Sequence, residues 1–147
     1  MNERIILLIE DNLDDIKLTQ RAFYKSDFAE KIRLEVAHNG DDALDFLFGK
    51  GAYIYRNTRD MPVVILLDLN LPRINGFQIL KRIRADKRTK LIPVIIITSS
   101  TEEQDIKKAY ELGANSYIRK PIDFKKFYVV AQHLGLYWIN LNEQPST

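Results

Sequence analysis

The chain has 147 residues, 46% apolar and 29% charged, with no cysteine and a formal net charge of +2 from 22 basic and 20 acidic side chains. That length suits one domain with a sizeable core, the missing cysteines exclude disulfides, thiolate metal sites and thiol catalysis, and the near-neutral balance offers no patch for nucleic acid. No run of about 18 apolar residues could span a bilayer, and Met1-Asn2-Glu3-Arg4 passes straight into an apolar stretch without a signal peptide, so the expectation is a cytoplasmic protein with neither a membrane nor a nucleic-acid partner.

In chain order, residues 5–9 form a first apolar run, followed by a helix over 14–26 with Ile16, Leu18, Ala22 and Phe23 near one face. Residues 33–37 alternate as a second strand. Asn39 or Asp41 then caps a helix reaching Phe48, with Ala43, Leu44, Leu47 and Phe48 at helical spacing. The stretch 49–62, carrying Gly49, Gly51, Asn57 and Pro62, reads as a surface loop. A third strand over 63–67 precedes Leu71-Pro72 and a helix from Asn75, where Asn75 and Gln78 make a capping-box pattern and Ile79, Leu80 and Ile83 supply the buried face. Pro93 opens a fourth strand. Thr101, with Gln104 three residues on, caps the next helix, and Gly113 ends it. A fifth strand covers 116–118, and a last helix from Asp123 buries Phe124, Phe127, Val130, Ala131 and Leu134. Short apolar runs alternating with helices predict an α/β fold, a doubly wound five-stranded parallel sheet with five helices.

Four of the runs stop at residues suited to phosphoryl chemistry: Glu10-Asp11, Asp68, Thr98 and Lys120-Pro121. Each alone has an ordinary explanation, as a solvated turn, a helix cap, a β-branched strand end or a surface lysine. At the same end of successive parallel strands they converge where open α/β sheets bind ligands. Glu10, Asp11 and Asp68 would repel one another and raise each other's pKa values. A magnesium ion, which takes oxygen ligands, relieves that repulsion. A phosphoryl group carried on Asp68 could pair with Lys120 and accept a hydrogen bond from Thr98. No second nucleophile or base stands ready for an external substrate, so an enzyme in the turnover sense is not expected.

In order, Glu10-Asp11, Asp68-Leu69-Asn70-Leu71-Pro72 through Gly76, Thr98-Ser99 and Tyr117-Ile118-Arg119-Lys120-Pro121 resemble the motifs of response-regulator receiver domains, the phosphoacceptors of two-component signalling. The resemblance spans about residues 4–134 and implies the flavodoxin-like receiver fold. It implies Asp68 as phosphoacceptor assisted by Thr98 and Lys120, with Asp11 and Asp68 as direct Mg2+ ligands, Glu10 through water and Asn70 through its backbone carbonyl. It also implies a cis peptide between Lys120 and Pro121, and a switch in which Thr98 moves toward the phosphoryl group and Tyr117 turns inward. The alternative for Tyr117 is a half-buried strand tyrosine.

By the same resemblance, residues 4–135 are the receiver domain and a sensor histidine kinase is the partner, with the face formed by helix four, strand five and helix five as the reporting surface. Too few residues follow for an output domain, so a stand-alone regulator is expected. The extension 136–147, with Leu136-Tyr137-Trp138-Ile139, either prolongs the last helix against the body or forms a homodimer contact with it. This tail, the long 49–62 loop and the segment around Asp68 are similar to the small response regulators of cyanobacterial and other bacterial phytochromes.

Other readings fit less well. A phosphohydrolase of the haloacid-dehalogenase type needs an acid two residues beyond its nucleophile, where this chain has Asn70. A nucleotide or flavin module needs a phosphate-cradling glycine loop that is missing. An unphosphorylated receiver-like scaffold generally loses acids or the lysine kept here.

Overall fold

A computed structural model describes residues 3–120 and 123–145. Strands β1 (Arg4–Ile9), β2 (Ile32–Ala37), β3 (Val64–Leu67), β4 (Val94–Thr98) and β5 (Ser116–Arg119) alternate with helices α1 (Leu13–Tyr24), α2 (Gly40–Phe48), α3 (Gly76–Ala85), α4 (Glu103–Glu111) and α5 (Phe124–Leu134). The strands form one parallel sheet in the order β2-β1-β3-β4-β5. This is the doubly wound architecture expected from the alternation.

The strand runs are apolar throughout because both faces of the sheet are covered. Ile5, Leu7 and Ile9 of β1 face a core shared with Leu44 and Leu47 of α2, Ile79 and Ile83 of α3 and Ala109 of α4. Ile6 and Leu8, one residue out of phase, face Ile16 and Phe23 of α1 and Phe127 and Leu134 of α5. The chain leaves β1 toward β2 on one side and enters β3 on the other. The carboxyl ends of β1 and β3 therefore meet at the topological switch point.

Local chemistry sets the helix ends. Asn12 accepts from the Asp15 amide at 3.0 Å, Asn39 from Asp42 at 2.8 Å and Asp123 from Lys126 at 2.9 Å. The first helix thus runs slightly earlier than the expected 14–26, and Asn39 rather than Asp41 caps the second. Asn75 and Gln78 form the reciprocal capping box, with bonds of 2.9 and 3.0 Å. The expected Thr101 cap is not formed. Glu102 takes the N-cap position without a side-chain cap bond, and Ser100 Oγ donates instead to the Asp105 carboxylate in the first turn, at 2.7 Å.

The 49–62 segment is less irregular than expected. After Gly49 closes α2 at φ +65°, a short 3-10 turn (Gly51–Tyr53) follows, and the Arg56 guanidinium reaches back to the carbonyl of Phe46 at 2.6 Å and forward to that of Asp60 at 2.8 Å. It lies over the Phe46 ring at 4.0 Å, and Tyr53 meets that ring edge-on. At the other end of the chain, α5 continues into a π-helical stretch (Gly135–Leu141), where the Asn142 amide donates to the Tyr137 carbonyl five residues back at 2.6 Å. The wider turn buries Ile139 and leaves Leu136, Tyr137 and Leu141 exposed, while Arg4 ties the Ile139 carbonyl to β1 at 2.7 Å.

Gly76 opens α3 against the backbone of the β3 exit. A methyl group there would stand 2.5 Å from the Asp68 carbonyl oxygen and 2.6 Å from Leu69 Cα. Because backbone cannot step aside as a side chain can, Gly76→Ala is expected to destabilise the fold by about 1–3 kcal/mol in chemical denaturation. Gly40→Ala, whose methyl would meet the side chains of Ile79 and Ile74 at 2.9 and 3.0 Å, should cost less.

Candidate phosphoacceptor site

The four strand ends named from sequence come together. Backbone pairing carries the sheet's ladder past its strands: Glu10 N donates to Ala37 O at 3.0 Å, Asp68 N to Ile9 O at 3.1 Å and Lys120 N to Thr98 O at 2.7 Å. Glu10 and Asp68 are only 3% and 5% exposed, and Thr98 is fully buried. Asp11 and Asn70 face solvent.

Glu10 curls back over the start of α1, where its Oε2 accepts from the amides of Asp11 and Asn12 at 3.1 Å each. Its other oxygen accepts from Lys120 Nζ at 2.8 Å. Lys120 Nζ also reaches Asp68 Oδ2 at 3.2 Å. Asp68 Oδ1 accepts from the Asn70 amide at 3.3 Å, and the Asn70 side-chain amide stands 3.5 Å from Thr98 Oγ1. Position 70 therefore offers an amide where a phosphohydrolase would need its acid.

Asp15 belongs to the site and was not foreseen. Its Oδ2 lies 2.7 Å from Lys120 Nζ, the shortest of that ammonium's three ion pairs. In the sequence it hides in the run Glu10-Asp11-Asn12-Leu13-Asp14-Asp15, where acids at a helix start read as solvated first-turn residues. The usable signal was Asn12 as N-cap, which turns the side chain three residues on back toward the strand end.

Tyr117, on β5, is half-buried with its hydroxyl donating to the Ser100 carbonyl at 3.0 Å. Burial pushes its phenol pKa up. In this conformation the expected switch residue is latched to the β4–α4 loop. The cis peptide expected between Lys120 and Pro121 lies outside the described residues.

The electrostatics are unbalanced. Carboxylate oxygens of Glu10, Asp11 and Asp68 lie within 4.8 Å of one another, and with Asp15 they set four acids against one ammonium. Burial, reinforced by the charge on Asp68, pushes Glu10 up to about 7 despite its bond to Lys120. Burial alone would lower Lys120, but its bonds to Asp15 and Glu10 and the charge of Asp68 more than reverse that, so it stays firmly protonated. Three hard oxygen donors with surplus negative charge fit a divalent cation such as Mg2+.

Two outcomes follow for the protein in chelator. Lys120→Met leaves the acids unopposed and is expected to cost about 3 kcal/mol in urea unfolding, whereas Asp68→Asn, which removes one of them, should stay within about 1 kcal/mol of the parent. Glu10 binds its proton more tightly folded than unfolded, so its contribution to stability is full below about pH 4.5 and is lost as pH rises through about 7. Over that window the parent should lose on the order of 2 kcal/mol relative to Glu10→Gln, measured by urea titrations at a series of pH values.

Comparison with known proteins places this geometry. The response regulator receiver domain profile matches residues 6–132. The probable methanogenesis regulatory protein FilR2 of Methanothrix harundinacea is 36% identical over 144 residues, covering 96% of this chain and 87% of FilR2. Response regulator Rcp1 of Synechocystis is 32% identical over 143 residues, covering 97% of this chain and 94% of Rcp1. The crystal structure of its Mn2+-bound form matches with a TM-score of 0.85 over 97% of this chain and 99% of that one. The phosphorylated cyanobacterial phytochrome response regulator RcpA matches with a TM-score of 0.88 at 32% identity, over 99% of this chain and 100% of RcpA. The chain belongs to the response regulator receiver family.

Proposed function

We propose that this response regulator accepts a phosphoryl group on Asp68 from a sensor histidine kinase, in a magnesium-dependent reaction. The observation that carries the reading is a buried carboxylate at the tip of β3, 3.2 Å from the Lys120 ammonium and beside the acids Glu10 and Asp11. An Asp68 oxygen attacks the phosphorus of a phosphohistidine. The P–N bond breaks with its electron pair passing to the imidazole, which takes a proton from solvent. Lys120 pairs with a phosphoryl oxygen and the Thr98 hydroxyl donates to another. Asp11 and Asp68 directly, Glu10 through water and the Asn70 carbonyl would hold Mg2+, which when bound neutralises charge on the transferring group. The acid cluster supports this role, as does the Mn2+-bound form of Rcp1.

Drawing Thr98 toward the phosphoryl group frees space for Tyr117, which leaves the Ser100 carbonyl and turns inward, altering the α4-β5-α5 face. Residues 4–135 act as the receiver domain. The exposed Leu136, Tyr137 and Leu141 support a homodimer contact through α5 and the extension 136–147. The likeness to RcpA supports a phytochrome as the kinase, although FilR2 carries the name of a methanogenesis regulator. A cytoplasmic location suits such a partner, and no described helix is long and apolar enough to cross a membrane.

The test is incubation with acetyl phosphate and magnesium, followed by intact mass and size-exclusion chromatography. The parent should gain one phosphoryl group and change its elution, and Asp68→Asn should gain none. A parent that takes up nothing, or an Asp68→Asn variant that takes up as much, overturns the assignment.

A further inference from the structure

Lys120 has three N–H donors, and three carboxylates fill them: Asp15 at 2.7 Å, Glu10 at 2.8 Å and Asp68 at 3.2 Å. Two of these acids have other tasks. Glu10 and Asp68 belong to the cluster with Asp11 that suits a cation. Asp15 stands outside that cluster, and among the described residues Lys120 is its one ion-pair partner. Its backbone is held from both sides, because its amide donates to Asn12 Oδ1 at 3.0 Å and its carbonyl accepts from Thr19 Oγ1 at 2.7 Å. The carboxylate therefore projects from a fixed base, and the flexible lysine is the partner that adapts.

We infer that Asp15 is a positioning residue that competes with the phosphoryl group for Lys120. In the unphosphorylated protein it shares the ammonium with Glu10 and Asp68 and makes the shortest of the three pairs, at 2.7 Å. With all three donors engaged, a phosphoryl oxygen takes Lys120 in competition with these carboxylates, so the Asp15 contact weakens the site's hold on phosphate. The inference rests on Asp68 being the phosphoacceptor and adds to it a determinant of how long and how fully that residue is occupied.

The experiment is a titration with beryllofluoride, a phosphoryl mimic, in magnesium, with the parent, Asp15→Asn, Asp15→Glu and Asp14→Asn. Steady-state phosphorylation by acetyl phosphate is measured beside it. Asp15→Asn keeps shape while removing the competing charge, and should bind beryllofluoride about three- to tenfold more tightly, the scale of one partly exposed ion pair. Its phosphorylated fraction should rise in step. Asp15→Glu restores a carboxylate and should return toward the parent. Asp14→Asn removes an equal charge from the same turn at an exposed residue without an ion pair to Lys120, and should leave affinity near the parent value. The inference is overturned alone if the parent binds and Asp15→Asn binds equally or less tightly, or if Asp14→Asn gives the same gain. A parent that neither binds beryllofluoride nor takes up phosphate overturns the Asp68 assignment and this inference with it.

Discussion

A single ammonium, on Lys120, is shared by Asp15, Glu10 and Asp68 at the rim of a sheet whose interior is almost wholly aliphatic. Buried acids of like charge oppose one another, and the cost is largest where water is excluded. Lys120 reduces that cost without removing it, since Asp11 adds a fourth negative charge within reach of Glu10 and Asp68. A fold selected for stability alone has no use for such a surplus. Maintained beside a buried threonine and an amide-bearing Asn70, the surplus makes the site receptive to cations and to a group that brings its own counter-charge.

The fold makes this concentration of charge possible by topology. Parallel strands end at one edge, and the reversal of strand order between β2 and β3 leaves a crevice beside the end of β1. Glu10 and Asp68 are placed there by main-chain bonds continuing the ladder, so their positions follow from the sheet and not from side-chain preference. Gly76 completes the arrangement, since only a residue without a side chain lets α3 begin against the Asp68 carbonyl.

Much of this was legible in the residues. Strands covered on both faces are written as uninterrupted aliphatic runs, so the residue ending each run could be named: Glu10, Asp68 and Thr98 lie where those runs predicted. The Asn75–Gln78 box was legible because its pairing is local. What escaped depends on distant partners. Asp15 resembles any solvated acid of a first helical turn until β5 brings Lys120 beside it. Thr101 had the chemistry of a cap, but Ser100 took the bond to Asp105 and the helix began one residue later. Arg56 gave order to a segment whose glycines and proline suggested a featureless loop, by bonding a carbonyl on the preceding helix and another within the segment itself. The widened turn after Leu134 has no local signature either, for Ile139 stands eight residues after the buried Ala131, a spacing an unbroken α-helix would also bury.

The bond between Tyr117 and Ser100 has a consequence for how this protein can vary. Its acceptor is a main-chain oxygen. Every amino acid at position 100 carries the same oxygen, so mutation there cannot delete the acceptor, though it can alter the serine's own hydroxyl contact with Asp105. The two halves of the serine are thus genetically separable. Drift at that codon retunes the loop's hold on α4, while the tyrosine keeps a main-chain oxygen to bond.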